Sequence, residues 1–146
     1  MAGTRAASDT ITVIIPSNPR YLRAVRSLLD EIAYEMKFPA KARSEIVHAV
    51  DEACTNVIKH GYGGNLDKKI VLILRERADR IEITIKDFGK KVHPARIRSR
   101  DLHDVKPGGL GVYFIRQSMD LVWYDTSPRV GTELTMVKYL KKQGHR

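Results

Sequence analysis

A chain of 146 residues is the size of one domain, and it can bury a core without metal or disulfide staples. Hydrophobic residues make up 42% and charged residues 29%, an ordinary globular composition, and the single cysteine, Cys54, excludes an internal disulfide. The formal net charge of +9 suits an anionic partner (nucleotide, nucleic acid, membrane surface or acidic protein) and equally a solubilising surface.

Residues 1–9 contain no apolar stretch of the kind a secretory signal needs and read as a loose arm. Residues 10–141 read as the folded domain and 142–146 as a polar tail. The longest aliphatic run, residues 70–74, is far too short to span a bilayer. Cys54 lies in an apolar helical pattern and reads as a buried thiol in a reducing compartment. The expectation is a cytoplasmic protein.

In chain order, residues 11–15 predict a first strand. Asn18 followed by Pro19 gives a helix start, and Leu22, Val25, Leu29, Ile32 and Met36 recur at helical spacing. Pro39 opens a second helix with an apolar stripe of Ile46, Val47, Val50, Ala53, Cys54, Val57 and Ile58. Glycines at 61, 63 and 64 end it. Residues 70–74 predict a strand, 75–80 a hairpin connection, and 81–86 a half-buried strand with alternating isoleucines. Residues 88–107 show no period. In that stretch Lys90, Lys91, Arg96, Arg98, Arg100 and Lys106 outnumber Asp101 and Asp104. A loop so long and basic reads as a functional lid. Gly108-Gly109-Leu110-Gly111 leads into a helix over 112–119, followed by a strand at 121–125, a turn at Ser127-Pro128 and a last strand over 131–140. This order predicts an α+β fold: a two-layer sandwich with a mixed, mostly antiparallel sheet covered on one face by helices.

Four constellations carry chemistry. Glu52, Asn56 and His60 recur every fourth residue and share one stripe at the edge of the apolar face. A glutamate there can act as a general base, and asparagine offers a neutral oxygen to a hard cation such as Mg²⁺. The plain alternative is a solvated polar edge. Asp87 continues the parity of Ile81, Ile83 and Ile85, so its carboxylate turns to the core side and needs a donor there. The exocyclic amine of adenine is one such donor, and Gly89 allows close approach of a ligand. Alternatively Asp87 is a strand-end aspartate in a turn. The Gly108–Gly111 cluster before a helix suits a polyphosphate held by backbone N–H groups, or is simply a turn. Thr132 shares the interior parity of Leu134 and Met136 and can bond Asp87 or a water beside it, or merely reflects β propensity.

The sequence of signals is Glu-x-x-x-Asn on a helix, Asp-x-Gly after a strand, a lid, Gly-x-Gly before a helix, then Gly-Thr in a strand. It resembles the ATP-binding domain of the GHKL superfamily over residues 11–140. The run Asp51-Glu52-Ala53-Cys54-Thr55-Asn56-Val57-Ile58-Lys59-His60-Gly61-Tyr62 is similar, nearly residue for residue, to the helix motif of the small anti-sigma-factor serine/threonine kinases. The resemblance implies ATP and Mg²⁺ as cofactors. Glu52 would be the general base and Asn56 the Mg²⁺ ligand. Asp87 would hold the adenine amine, with Gly89 and Thr132 beside the base. Gly109, Leu110 and Gly111 would meet the phosphates through backbone amides, and Lys59, His60 and Val112 would complete the nucleotide site. The implied substrate is a serine or threonine of a STAS-type anti-anti-sigma protein. The implied partners are that protein and a sigma factor held by a homodimer, with no membrane.

Lys91 departs from the superfamily's Asp-x-Gly-x-Gly pattern at the second glycine. Asp87-Phe88-Gly89 is not the corresponding triplet of eukaryotic-type kinases, whose His-Arg-Asp loop is missing. Two other readings stay open: a non-catalytic ATP-sensing module that sequesters a partner, and nucleic-acid binding through the basic surface. The second is the weaker, because Phe88, Tyr113, Phe114 and Trp123 read as core rather than as stacking platforms.

Overall fold

The computed structural model describes residues 8–90 and 109–141. Most of the expected lid, with Lys91, Gly108 and the residues between them, lies outside the described residues, as do most of the expected arm and the tail at 142–146.

Five strands form one sheet: β1 Ser8–Pro16, β2 Lys69–Arg77, β3 Arg80–Lys86, β4 Leu121–Asp125 and β5 Glu133–Tyr139, in the order β1-β2-β3-β5-β4. The expected mixed sheet is antiparallel at every described pairing. β4 runs in the same direction as β3, but β5 is inserted between them, so no two parallel strands become neighbours. β1 begins at Ser8, inside the stretch expected to be an arm.

The β2–β3 connection is shorter than the sequence predicts. Both strands extend until only Ala78 and Asp79 remain between them. Charge had concealed the strand ends, and the outer sheet face satisfies that charge. Arg80 Nε reaches Glu82 Oε2 at 2.8 Å, Arg77 pairs with the same carboxylate at 3.7 Å, and Arg75 donates to Thr84 Oγ1 at 3.2 Å.

Asn18 caps as expected, its side chain accepting from the Arg20 amide at 3.1 Å, but it caps a short 3-10 turn, Pro19–Tyr21. Helix α1 follows at Leu22–Glu35, then α2 at Ala40–Asn56, and α3 at Gly109–Ser118. α2 lies between α1 and α3 and packs against both. Its buried residues Ile46, Val50, Ala53 and Cys54 join Leu29, Ile32, Ile115 and the inward rows of the sheet in one core. Leu72, Ile85 and Leu134 form one such row, and Leu74, Ile83 and Met136 the next. Burial pushes the Cys54 thiol up to about 12, so it is inert at neutral pH.

The other sheet face carries no helix among the described residues. Of the aromatic residues read as core, Tyr113 is half-buried, but Phe88 is 44%, Phe114 50% and Trp123 48% exposed. Trp123 has the outward parity of the edge strand β4, opposite Thr135, and Phe88 lies beyond the end of β3. Apolar neighbours in sequence had made Phe114 and Trp123 look interior, whereas Phe88 is flanked by Asp87 and Gly89.

Candidate functional site

The site grows from the end of α2. Glu52 and Asn56 are one α-helical turn apart, both half-buried. They meet the first turn of α3, where Gly111 packs against both side chains. A Cβ at Gly111 would stand 3.0 Å from Glu52 Oε2 and 3.1 Å from Asn56 Nδ2. A side chain at this position would have to displace the carboxylate and the amide.

Beyond Asn56 the helix changes pitch. Val57–Gly61 forms a π-helical turn, which fits more residues into a turn and rotates the succeeding side chains off the α-helical stripe. The stripe expected to run from Glu52 to His60 therefore ends at Asn56, and Lys59 and His60 are exposed. The glycines stop the helix as expected: Tyr62 and Gly64 donate to Val57 O and Ile58 O, both at 2.8 Å, and Gly63 and Gly64 take φ of 58° and 83°.

Gly61 brings the end of α2 onto Asp87, and a Cβ there would lie 3.7 Å from Asp87 Oδ1. Asp87 is half-buried just past the end of β3, and its amide donates to Thr132 O at 3.1 Å. Gly89 donates to Asp87 Oδ1 at 3.0 Å. Burial raises the Asp87 carboxyl above its ordinary range, and the amides of Gly89 and Thr132 draw it partly back. Two glycines permit this crowding. A Cβ at Gly89 would fall 2.1 Å from Gly61 O, and one at Gly131 only 1.9 Å from Asp87 O. Gly131 also has φ of 76°. The last strand accordingly starts at Glu133, not at Gly131 as the sequence predicts, because Gly131 belongs to the turn that crosses Asp87.

The Thr132 hydroxyl faces inward, 4% exposed for the residue as a whole, and its Oγ1 has no hydrogen-bond partner among the described residues. A buried hydroxyl without a partner, beside a carboxylate whose burial calls for a donor, fits a polar ligand that has both donor and acceptor atoms. Adenine is such a ligand. At the other end of the site, α3 starts at Gly109, so Gly109, Leu110 and Gly111 form its first turn rather than a preceding loop. The amides of a first helical turn have no intrahelical acceptor and favour anions. Val112 is buried, which leaves its backbone as the part that can serve a ligand.

The structure thus brings Glu52, Asn56 and Gly111 into one group on α2, and Asp87, Gly89 and Thr132 into another against the π-helical turn that follows it. Lys59 and His60 stand apart from both groups. One neighbour has no role assigned by the sequence. Tyr62 lies at the end of the quoted helix motif, and its hydroxyl accepts the Phe88 amide at 2.8 Å and donates to Lys69 O at 2.5 Å.

A helical layer that offers a carboxylate and an amide to a glycine-opened helix start, over a sheet with a half-buried aspartate at a strand end, is the framework of a histidine kinase-like ATPase. Residues 15–138 match the family model described as a histidine kinase-like ATPase domain. A serine-protein kinase RsbW from Listeria innocua is 30% identical over 146 aligned residues, covering 92% of this chain and 90% of that protein. A serine-protein kinase RsbW from Halalkalibacterium halodurans is 31% identical, covering 92% of this chain and 85% of that one. The chain belongs to the histidine kinase-like ATPase domain family, in the branch of the RsbW serine-protein kinases. A crystal structure of the RsbU and RsbW domains of a Mycobacterium tuberculosis protein shares the fold, with a TM-score of 0.66 at 17% identity. That match covers 89% of this chain and 31% of that one. Family membership brings nucleotide use with it, and no helix among the described residues is long and apolar enough to cross a membrane.

Proposed function

We propose that the protein is an ATP-dependent serine/threonine kinase that acts as an anti-sigma factor, phosphorylating a STAS-type anti-anti-sigma protein and sequestering a sigma factor as a cytoplasmic homodimer. The observation that carries this reading is the meeting of Glu52 and Asn56 with Gly111. It sets a candidate base and a candidate cation ligand against the helix start best suited to phosphate.

The roles follow from the chemistry of each group. Glu52, half-buried but open to the site, accepts the proton of the attacking serine hydroxyl. Asn56 would hold Mg²⁺ through its neutral side-chain oxygen, and the ion would supply charge neutralisation there. The amides of Gly109, Leu110 and Gly111 hold the phosphate chain, and Asp87 and Thr132 bind the adenine edge. Bound MgATP supplies the γ-phosphoryl group and the charge neutralisation that transfer requires. Retention of Glu52 favours catalysis over a purely ATP-sensing module.

The test is Glu52→Gln, assayed with purified STAS partner and fluorescent ATP analogue. The variant keeps its affinity for the nucleotide and loses phosphoryl transfer by about 10²–10⁴-fold, the usual contribution of a general base. Transfer at the wild-type rate overturns the assigned role. Nucleotide binding with no phosphorylated partner even in the wild type returns the protein to the sensing module.

A further inference from the structure

The segment that carries Asp87 is held at four points. The Asp87 amide donates to Thr132 O at 3.1 Å, the Phe88 amide to Tyr62 Oη at 2.8 Å, the Gly89 amide to Asp87 Oδ1 at 3.0 Å, and the Lys90 amide to Gly61 O at 3.0 Å. Two of these bonds are backbone to backbone, and the one from Gly89 to Asp87 stays within the segment. The bond from Phe88 is different, because its acceptor is a side chain from another element.

That side chain is itself fixed. The Tyr62 hydroxyl has one proton and uses it on Lys69 O at 2.5 Å, at the start of β2, which turns a lone pair toward Phe88. The ring is wedged against the Gly89 backbone, where a Cβ at Gly89 would come within 3.0 Å of Tyr62 Cδ1. The Phe88 amide and the Asp87 carbonyl belong to one planar peptide unit. Tyr62 grips the N–H side of that plane, and the Gly131 turn presses the carbonyl side. Rotating the plane about the Asp87 Cα–C bond would carry the Gly89 amide away from Asp87 Oδ1 and release its carboxylate.

We propose that Tyr62 is a positioning residue for base recognition: by fixing the Asp87–Phe88 peptide it aims the Asp87 carboxylate at the exocyclic amine of adenine. This rests on the reading of Asp87 as the adenine-amine acceptor. Tyr62 itself touches no nucleotide and acts through Asp87.

The experiment compares Tyr62→Phe with the wild type in binding Mg²⁺ complexes of ATP and of purine riboside triphosphate, which lacks the exocyclic amine. The wild type prefers ATP. In Tyr62→Phe, affinity for ATP falls about five- to tenfold, the scale of one hydrogen bond, while affinity for the amine-less nucleotide is unchanged. In an Asp87→Asn background, Tyr62→Phe has no further effect. An equal loss for both nucleotides, or an unchanged preference, overturns the inference. A wild type that does not distinguish the two nucleotides overturns the reading of Asp87 instead. If Tyr62→Phe unfolds too readily to assay, amide exchange in the wild type decides. The Phe88 N–H is protected if the hydroxyl holds it, and exchange at the rate of a free loop overturns the proposal.

Discussion

Gly111 lies so close to Glu52 that a methyl group on it would come within 3.0 Å of the Glu52 Oε2 atom and 3.1 Å of Asn56 Nδ2. Both obstructing groups are ends of flexible side chains, so Gly111→Ala is accommodated by moving them. The fold tolerates the change, and helix propensity favours alanine by up to about 1 kcal/mol. The expected outcome is an unchanged or slightly raised melting temperature with transfer reduced at least about tenfold. Calorimetry and phosphorylation of a STAS partner check the two halves separately.

Gly131 gives the opposite result. Its φ is 76°, and the atoms a Cβ would strike are backbone: Asp87 O at 1.9 Å and Phe88 Cα at 2.7 Å. Nothing there can rotate away. Gly131→Ala destabilises the protein by about 1–3 kcal/mol from the left-handed backbone alone, with the collision in addition. Denaturant unfolding measures it, and nucleotide affinity falls with it because the Asp87 segment is displaced.

Asp87 links the site to pH. Burial raises its folded-state value above the ordinary 3.8. Between 3.8 and that raised value the folded state holds a proton that the unfolded state has lost. Stability therefore falls as pH rises through the window, and the full penalty stands at neutral pH. Asp87→Asn removes it and keeps an oxygen for the Gly89 amide. Without nucleotide, the variant melts higher than the wild type at pH 7, and the difference closes below about pH 4. Its affinity for ATP falls, so the carboxylate costs stability and serves binding. Thermal melts across pH check the first statement and nucleotide titration the second.

Lys138 fixes the far end of α3. Its Nζ donates to Ser118 O at 2.5 Å, at the helix C-terminus, and to Glu45 Oε2 on α2 at 3.2 Å, with only 11% of the side chain exposed. The cation suits a helix end whose carbonyls are unsatisfied. Lys138→Met loses about 1.5–3 kcal/mol, the range for hydrogen bonds to a charged group, as read by chemical denaturation.

Much of this protein was legible in the chain. Leu22, Val25, Leu29 and Ile32 are spaced as a helix must be to bury one stripe, and all four are buried. The β3 isoleucines alternate because one face of the sheet packs on helices, and Asp87 follows them onto the side that faces the site. Glu52 and Asn56 could be paired because their separation is one helical turn.

The features that the sequence left open depended on contacts between distant segments or on backbone pitch. His60 has the same four-residue spacing from Asn56, but a π-helical turn, which periodicity does not mark, separates it from the stripe. Arg75 and Arg77 look like loop residues until Thr84 and Glu82 are found across the ladder. Tyr62 carries no pattern of its own, since its role arises from Phe88 and Lys69 meeting at one hydroxyl. Local spacing alone determines which face of an element is apolar and which residues share it. Which glycine admits a carboxylate, and which carbonyl meets a turn, were decided only when the elements packed, because those relations are set by three-dimensional crowding between segments far apart in the chain.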